Sequence, residues 1–195
     1  MSGDTPGVPQ GTADASDAIS LATVQRALQQ TPAVLAAWLH TLPDPWLDAN
    51  EGAGTWSPRQ VVMHLNWGEV DDWLPRVRMI CEHGATQAFH PFDREEGFRR
   101  YAGWPIGQLL AEFTRLRSAS LAGLTQLSLT EADLARHGRH PEFGVVTLGQ
   151  LLATWVTHDL THLTQIGRVL TRHSGRATGP WRAYFSLLRT SAGQL

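Results

Sequence analysis

The chain has 195 residues, a formal net charge of −2 at neutral pH and one cysteine, Cys81. That length buries one core without disulfides or a structural metal, and the scattered basic residues draw neither a nucleic-acid stripe nor a polybasic membrane patch. A lone cysteine excludes a disulfide framework and a cysteine-rich zinc site and fits a reducing cytoplasm, while the absence of lysine excludes Schiff-base and P-loop lysine chemistry.

Residues 1–16, MSGDTPGVPQGTADAS, carry Gly, Pro, Ser, Thr and Asp without an apolar run and are expected to be a flexible tail; the folded domain is expected over 17–195. No window reaches the length of a membrane span and no secretory signal opens the chain, so a soluble, cytoplasmic protein is expected. From Asp17 to His40 apolar residues at Leu21, Val24, Leu28, Leu35, Trp38 and Leu39 predict a first helix. Pro32 either kinks it or opens its second half. Leu42 to Thr55 reads as loop.

Ser57 followed by Pro58 is a helix start, a hydroxyl cap and then a proline at the first helical position. The second helix is expected to run to about Glu82, on a stripe of Met63, Trp67, Val70, Leu74, Val77 and Cys81, with Pro75 kinking it near Asp71. His64 lies beside that stripe with Val61, Gly68 and Asp71. Glu69 lies off that face. Residues 83–105 form a long aromatic connection, containing Phe89, Phe92, Phe98, Tyr101 and Trp104, of the kind that covers a site or carries a short helix.

A third helix is expected from about Pro105 to Leu127, with a polar face rich in Arg and Ser. A turn-rich connection ends at Thr147, which would cap the fourth helix, and Trp181 to Leu188 reads as a short C-terminal amphipathic helix. Four helices of bundle length and no βαβ alternation predict an all-α fold, an antiparallel four-helix bundle. Eight tryptophans supply area for pocket walls or a dimer surface.

The fourth helix, Thr147 to Leu170, carries an anomaly. On a wheel of about 100° per residue, Leu148, Leu151, Leu152, Ile166, Val169 and Leu170 lie within roughly 60° of Trp155. So do His158, Asp159 and His162, and a buried polar group left unpaired costs roughly 1–3 kcal/mol. His158 and His162 are one turn apart, so both rings can face one ion such as zinc or nickel. The alternative is a pair of core histidines bonded to carbonyls or water. HDLTH also resembles the HExxH pattern of zinc proteases, but Asp159 is one methylene shorter than the glutamate and no third ligand follows at the usual spacing. A carboxylate there would more readily orient an imidazole or a water. His137 and His140 sit in a loop with Arg136 and Arg139 and read as surface residues rather than ligands, in a loop long enough to reach a pocket mouth. Asp71 is a candidate to orient His64, Cys81 reads as a buried small hydrophobe, and Trp67, Trp155 and Phe92 are core or pocket-wall residues.

The run TPAVLAAWLHTLP, then WSPRQVVMHLNWGEVDDWLPRV, then HPEFGVVTLGQLLATWVTHDLTHLTQI, resembles the DinB-like superfamily, the DinB/YfiT-like metalloenzymes, over roughly Thr31 to Leu170. The motifs that carry it are a Trp-Ser opening the second helix, a histidine seven residues after that serine, and a His-Asp-x-x-His-x-x-Gln-Ile run in the fourth. The resemblance implies an up-down-down-up bundle and a divalent metal held by three histidines, which map onto His64, His158 and His162. By periodicity alone His64 is a flank or packing residue; the resemblance promotes it to a ligand.

Characterised members of this superfamily transfer or isomerise with a low-molecular-weight bacterial thiol, or hydrolyse with metal assistance. The resemblance therefore implies a metal-dependent transferase, isomerase or hydrolase acting on a small molecule, with zinc or nickel and a thiol cosubstrate, in a bacterial homodimer. A non-catalytic metal-binding or small-ligand-binding bundle, such as a stress-response protein, is the reading from a different class.

Overall fold

Two capping boxes start the helices that carry the histidines. The Ser57 hydroxyl accepts from the Gln60 N–H while the Gln60 side chain accepts from the Ser57 N–H, and Thr147 and Gln150 repeat the arrangement. The structure, a computed structural model, describes residues 19–189. The expected tail over 1–16 therefore lies outside the described residues.

Helix α1 spans Leu21–Leu39, capped by Ser20, and runs through Pro32 without a break. A short α2, Asp44–Leu47, lies within the expected loop. The expected second helix is in two pieces, α3 (Pro58–Asp71) and α4 (Trp73–His83), hinged at Asp72 with φ −105° and ψ −72°. Pro75 explains the break, because its ring meets the carbonyl of residue 71 and it offers that carbonyl no N–H. The aromatic connection carries α5, Glu96–Arg100.

Helix α6 spans Ile106–Gln126 and α7 Leu148–Ser174. Between them lies a hairpin that the sequence did not announce, β1 (His137–His140) paired antiparallel with β2 (Gly144–Thr147). Four-residue strands without apolar alternation leave no period to read. Docking decides the pairing instead: a Cβ at Gly138 would lie 2.6 Å from Ile80 and 2.9 Å from Phe89, so only a glycine lets β1 lie against α4. The C-terminal helix takes the form of two short 3-10 segments, Gly179–Tyr184 and Ser186–Leu188. Among the described residues no helix is long and apolar enough to cross a membrane.

Cross-helix contacts give the directions. Asn66 meets Leu109, Glu69 meets Arg117 and Leu74 meets Gly123, so α3–α4 and α6 run parallel. Thr31 meets Asp159 and Trp38 meets Gly167, so α1 and α7 run parallel to each other. Trp155 meets Glu69 while His158 meets His64, which sets α7 against α3. The result is an up-down-down-up four-helix bundle.

The core divides along the bundle axis. One cluster gathers Val24, Leu28, Trp73, Leu124, Leu152 and Trp155; the other gathers Leu35, Leu65, Leu109, Phe113 and Ile166. Each long helix contributes to a buried polar layer in the bundle: Thr31, Glu69, Arg117 and Asp159.

Candidate metal centre

Arg117 is 1% exposed and holds that polar layer together. Its Nη1 donates to Asp159 Oδ2 at 2.6 Å and its Nη2 to Asp159 Oδ1 at 3.0 Å and Glu69 Oε1 at 2.8 Å. Thr31 Oγ1 donates to Asp159 Oδ2 at 2.6 Å, and the Trp155 indole N–H to Glu69 Oε1 at 3.1 Å. Burial opposes the guanidinium charge, but Glu69 and Asp159 outweigh it and push its pKa up. Burial raises the Glu69 carboxyl against the pull of Arg117. The third helix was expected to show its arginines and serines to solvent; Arg117 and Ser120 face inward instead. Two buried carboxylates on neighbouring helices require a cation, a demand no single-helix wheel displays.

Beside this layer α3 contributes His64 and α7 contributes His158 and His162. His64 Nε2 lies 3.0 Å from His158 Nε2, which lies 3.2 Å from His162 Nε2, and one nitrogen from each ring falls within 4.8 Å of the others. The i,i+4 spacing stacks His158 over His162, and α3 brings His64 across from 94 residues away in sequence.

These rings fit a metal on their own chemistry. Nitrogens about 2.0–2.1 Å from a tetrahedral zinc lie about 3.4 Å from one another, close to the two gaps at His158. A hydrogen bond can satisfy only one of the two contacts at His158 Nε2, since that nitrogen holds a single proton in the neutral ring. His162 Nδ1 lies 2.9 Å from Gln165 Oε1, which can only accept, so that nitrogen carries the proton and His162 Nε2 presents a lone pair. The Nδ1 atom of His158 is buried without a partner.

Burial lowers the pKa of His64 to about 4, with His162 adding to the effect and the Arg94 carbonyl opposing it. Burial, then His162 and His64, takes His158 to about 2, and burial also lowers His162. Three neutral imidazoles with inward lone pairs are the state a cation needs.

Aromatic residues fix the rings. Trp56 stacks on His162 at 5.9 Å and 12° and tilts against His64 at 4.7 Å, while Trp73 meets His158 edge-on at 5.0 Å and Phe92 meets His64 edge-on at 5.6 Å. The histidines form the floor of an open cleft of about 590 Å³, walled by Trp56, Asp72, Arg76, Phe92, Arg94 and the hairpin tip from His140 to Phe143. Burial raises the Asp72 carboxyl to about 6 against the pull of Arg76, its partner at 2.5 Å.

Other expectations change. Asp159 does not orient a ligand, since both its oxygens face Arg117 and Thr31. Asp71 is exposed; seven residues beyond His64 it stands about 10 Å further along the axis, out of reach. Glu69 lies off the His64 face, as expected, and is buried against Arg117.

His137 is exposed, whereas His140 lines the cleft, with its Nδ1 accepting the N–H groups of Glu142 and Phe143. Cys81 is half-buried against the core. Phe92 walls the cleft, while Trp155 belongs to the core, stacked on Trp73 at 5.7 Å, and Trp67 packs beneath Arg100. Trp56 as a wall was visible in the sequence only as the residue before the Ser57 cap.

Residues 27–166 match the family model of the DinB superfamily. A protein of Oceanobacillus iheyensis is 26% identical over 140 residues, covering 71% of this chain and 79% of its own length. YfiT of Bacillus subtilis is 27% identical over 154 residues, covering 72% and 80%. Both are named "Putative metal-dependent hydrolase". The solved structure of Bacillus subtilis YfiT, described as having an unusual four-helix bundle topology, matches with a TM-score of 0.69 at 25% identity over 86% of this chain and 96% of that one. TT2238, a four-helix bundle protein, matches in fold with a TM-score of 0.54 at 20% identity over 76% and 98% of the two chains.

Proposed function

The chain belongs to the DinB superfamily, and from that premise we propose that it is a metal-dependent hydrolase whose divalent ion, zinc or nickel, is held by His64, His158 and His162. The observation that carries this reading is the meeting of three buried histidine nitrogens, all within 4.8 Å, on the floor of an open cleft. The curated relatives named for metal-dependent hydrolysis support the same reaction class.

Three protein ligands leave a position open toward the cleft, the arrangement of a catalytic site. Bound there, a divalent ion supplies Lewis acidity, polarising a carbonyl and acidifying water. Gln165 keeps the proton of His162 on Nδ1 and so keeps its Nε2 free. Trp56, Trp73 and Phe92 hold the rings in orientation and exclude water from their sides. No serine, threonine or cysteine lines the cleft among the described residues, which fits an attacking group from outside, water or a small thiol.

Metal analysis of the purified protein beside His64→Ala, His158→Ala and His162→Ala tests the ion. About one divalent ion per wild-type chain and loss in each variant is the expected result; equally little metal in all four overturns it. Turnover of a panel of esters and amides by the loaded protein, with and without added thiol, tests the reaction. Hydrolysis without thiol supports the hydrolase, turnover only with thiol supports a transferase, and bound metal without turnover of any of them supports a binding module.

A further inference from the structure

The cleft walls carry two arginines, Arg76 and Arg94, and two carboxylates, Asp72 and Glu142. Arg76 is engaged: it pairs with Asp72, donates to the His90 carbonyl at 3.3 Å and lies over the Phe89 ring at 5.3 Å. Arg94 is not. It lines the cleft beside Phe92; of its acidic sequence neighbours Asp93 and Glu96 pair with Arg99 and Glu95 is exposed, and the Arg94 guanidinium has no carboxylate or carbonyl partner among the described residues. Its charge reaches the metal-binding rings, opposing protonation of His64 and His158. The other wall carboxylate, Glu142, sits exposed at the hairpin tip with no ion pair among the described residues.

Three neutral histidines do nothing to balance a divalent ion, so an occupied site would give the cleft a net positive charge. A guanidinium offers a planar fork of donors that matches a carboxylate with two parallel hydrogen bonds. The rest of the lining includes the aromatic rings of Phe92 and Phe143, the latter 68% exposed. A volume of about 590 Å³ suits a small molecule.

We infer that the cleft selects small substrates bearing a carboxylate, which Arg94 holds beside the metal while an apolar portion lies between Phe92 and Phe143. The inference rests on the three-histidine metal reading and adds to it a specificity residue.

Titration calorimetry of the zinc-loaded protein tests this with benzoate and its neutral isostere benzamide. Benzoate is expected to bind about tenfold more tightly than benzamide, and Arg94→Gln to remove about that factor while leaving benzamide within about twofold. Arg94 is exposed, so the variant should keep its fold, which circular dichroism checks. Arg26→Gln, at an exposed position on α1, controls for net charge and should change neither affinity.

Benzoate affinity unchanged in Arg94→Gln, an equal loss in Arg26→Gln, or no preference for benzoate overturns the inference. Zinc content measured on the same samples separates the two readings. Full zinc without Arg94 dependence defeats this inference alone, and Arg94-dependent benzoate binding by a protein that takes no zinc defeats the metal reading alone.

Discussion

Pro32 in α1 and Arg117 in α6 are coupled through one carbonyl. Helical geometry assigns the Leu28 carbonyl to the N–H of residue 32, which proline lacks, and Arg117 Nη1 donates to it at 2.9 Å instead. The same guanidinium joins Glu69 of α3 and Asp159 of α7. The polar layer therefore ties all four long helices at the level where the histidines meet.

Removing Arg117 strands two buried carboxylates and a backbone carbonyl. Arg117→Met is expected to cost about 3–5 kcal/mol in urea denaturation. Pro32→Ala restores an N–H to Leu28, so it should recover more stability in the Arg117→Met background than in wild type. Equal gains in both backgrounds would show that the carbonyl does not depend on the arginine.

Gln165 acts on the metal through His162. Its Oε1 accepts from His162 Nδ1 at 2.9 Å and leaves Nε2 to the ion. Gln165→Leu is expected to weaken metal affinity about 10–100-fold, measured by competition with a chelator, with little change in melting temperature of the metal-free protein. Unchanged affinity would remove Gln165 from the site.

The buried histidines predict how metal-free stability depends on pH. Burial holds His64 at about 4 and His158 at about 2, against an ordinary 6.5 in the unfolded chain. Below 6.5 the unfolded state takes protons that the folded state refuses, so these groups cost no stability above 6.5 and increasing amounts as pH falls toward the folded values. Glu69 and Asp72, both raised, contribute the opposite slope, so the informative quantity is the difference between His158→Ala and wild type. Thermal melts from pH 8 to 4.5 should show the variant gaining on wild type as pH falls. A constant difference would place His158 in a protonatable, solvated position.

Gly97 sets how closely α5 lies on α3. A Cβ there would stand 2.7 Å from the Met63 carbonyl and 3.0 Å from Trp67 Cβ, and neither neighbour can move freely. Gly97→Ala is expected to destabilise by about 1–3 kcal/mol and to lower metal affinity, since Met63 adjoins His64 and the Phe92 wall precedes α5. A thermal shift of less than a degree, with metal affinity intact, would contradict the close packing.

Much of this protein is legible along the chain because helices declare themselves locally. Ser57-Pro58 and Thr147 cap where capping chemistry says they should, and Pro75 breaks the second helix at Asp72, one residue from its expected place. The period of apolar residues in α7 put His158 and His162 on one buried face, and their one-turn spacing already allowed a shared ion. The hairpin from His137 to Thr147 was not legible, since its strands are too short to show a period and are held by α4 and Phe89.

Partners across helices were decided by the tertiary structure alone. A wheel reports how one helix divides its faces, but which face meets which neighbour depends on packing of the whole bundle. Asp159 could thus be seen as buried while Arg117, the cation that answers it, passed for a surface arginine. His64 stood beside its helix's apolar stripe as a flank residue, and only the approach of α3 to α7 carries its Nε2 to within 3.0 Å of His158. The pair on α7 follows from local periodicity; the third ligand, the cleft above it and the unpaired Arg94 on its wall exist only once distant segments share one small volume.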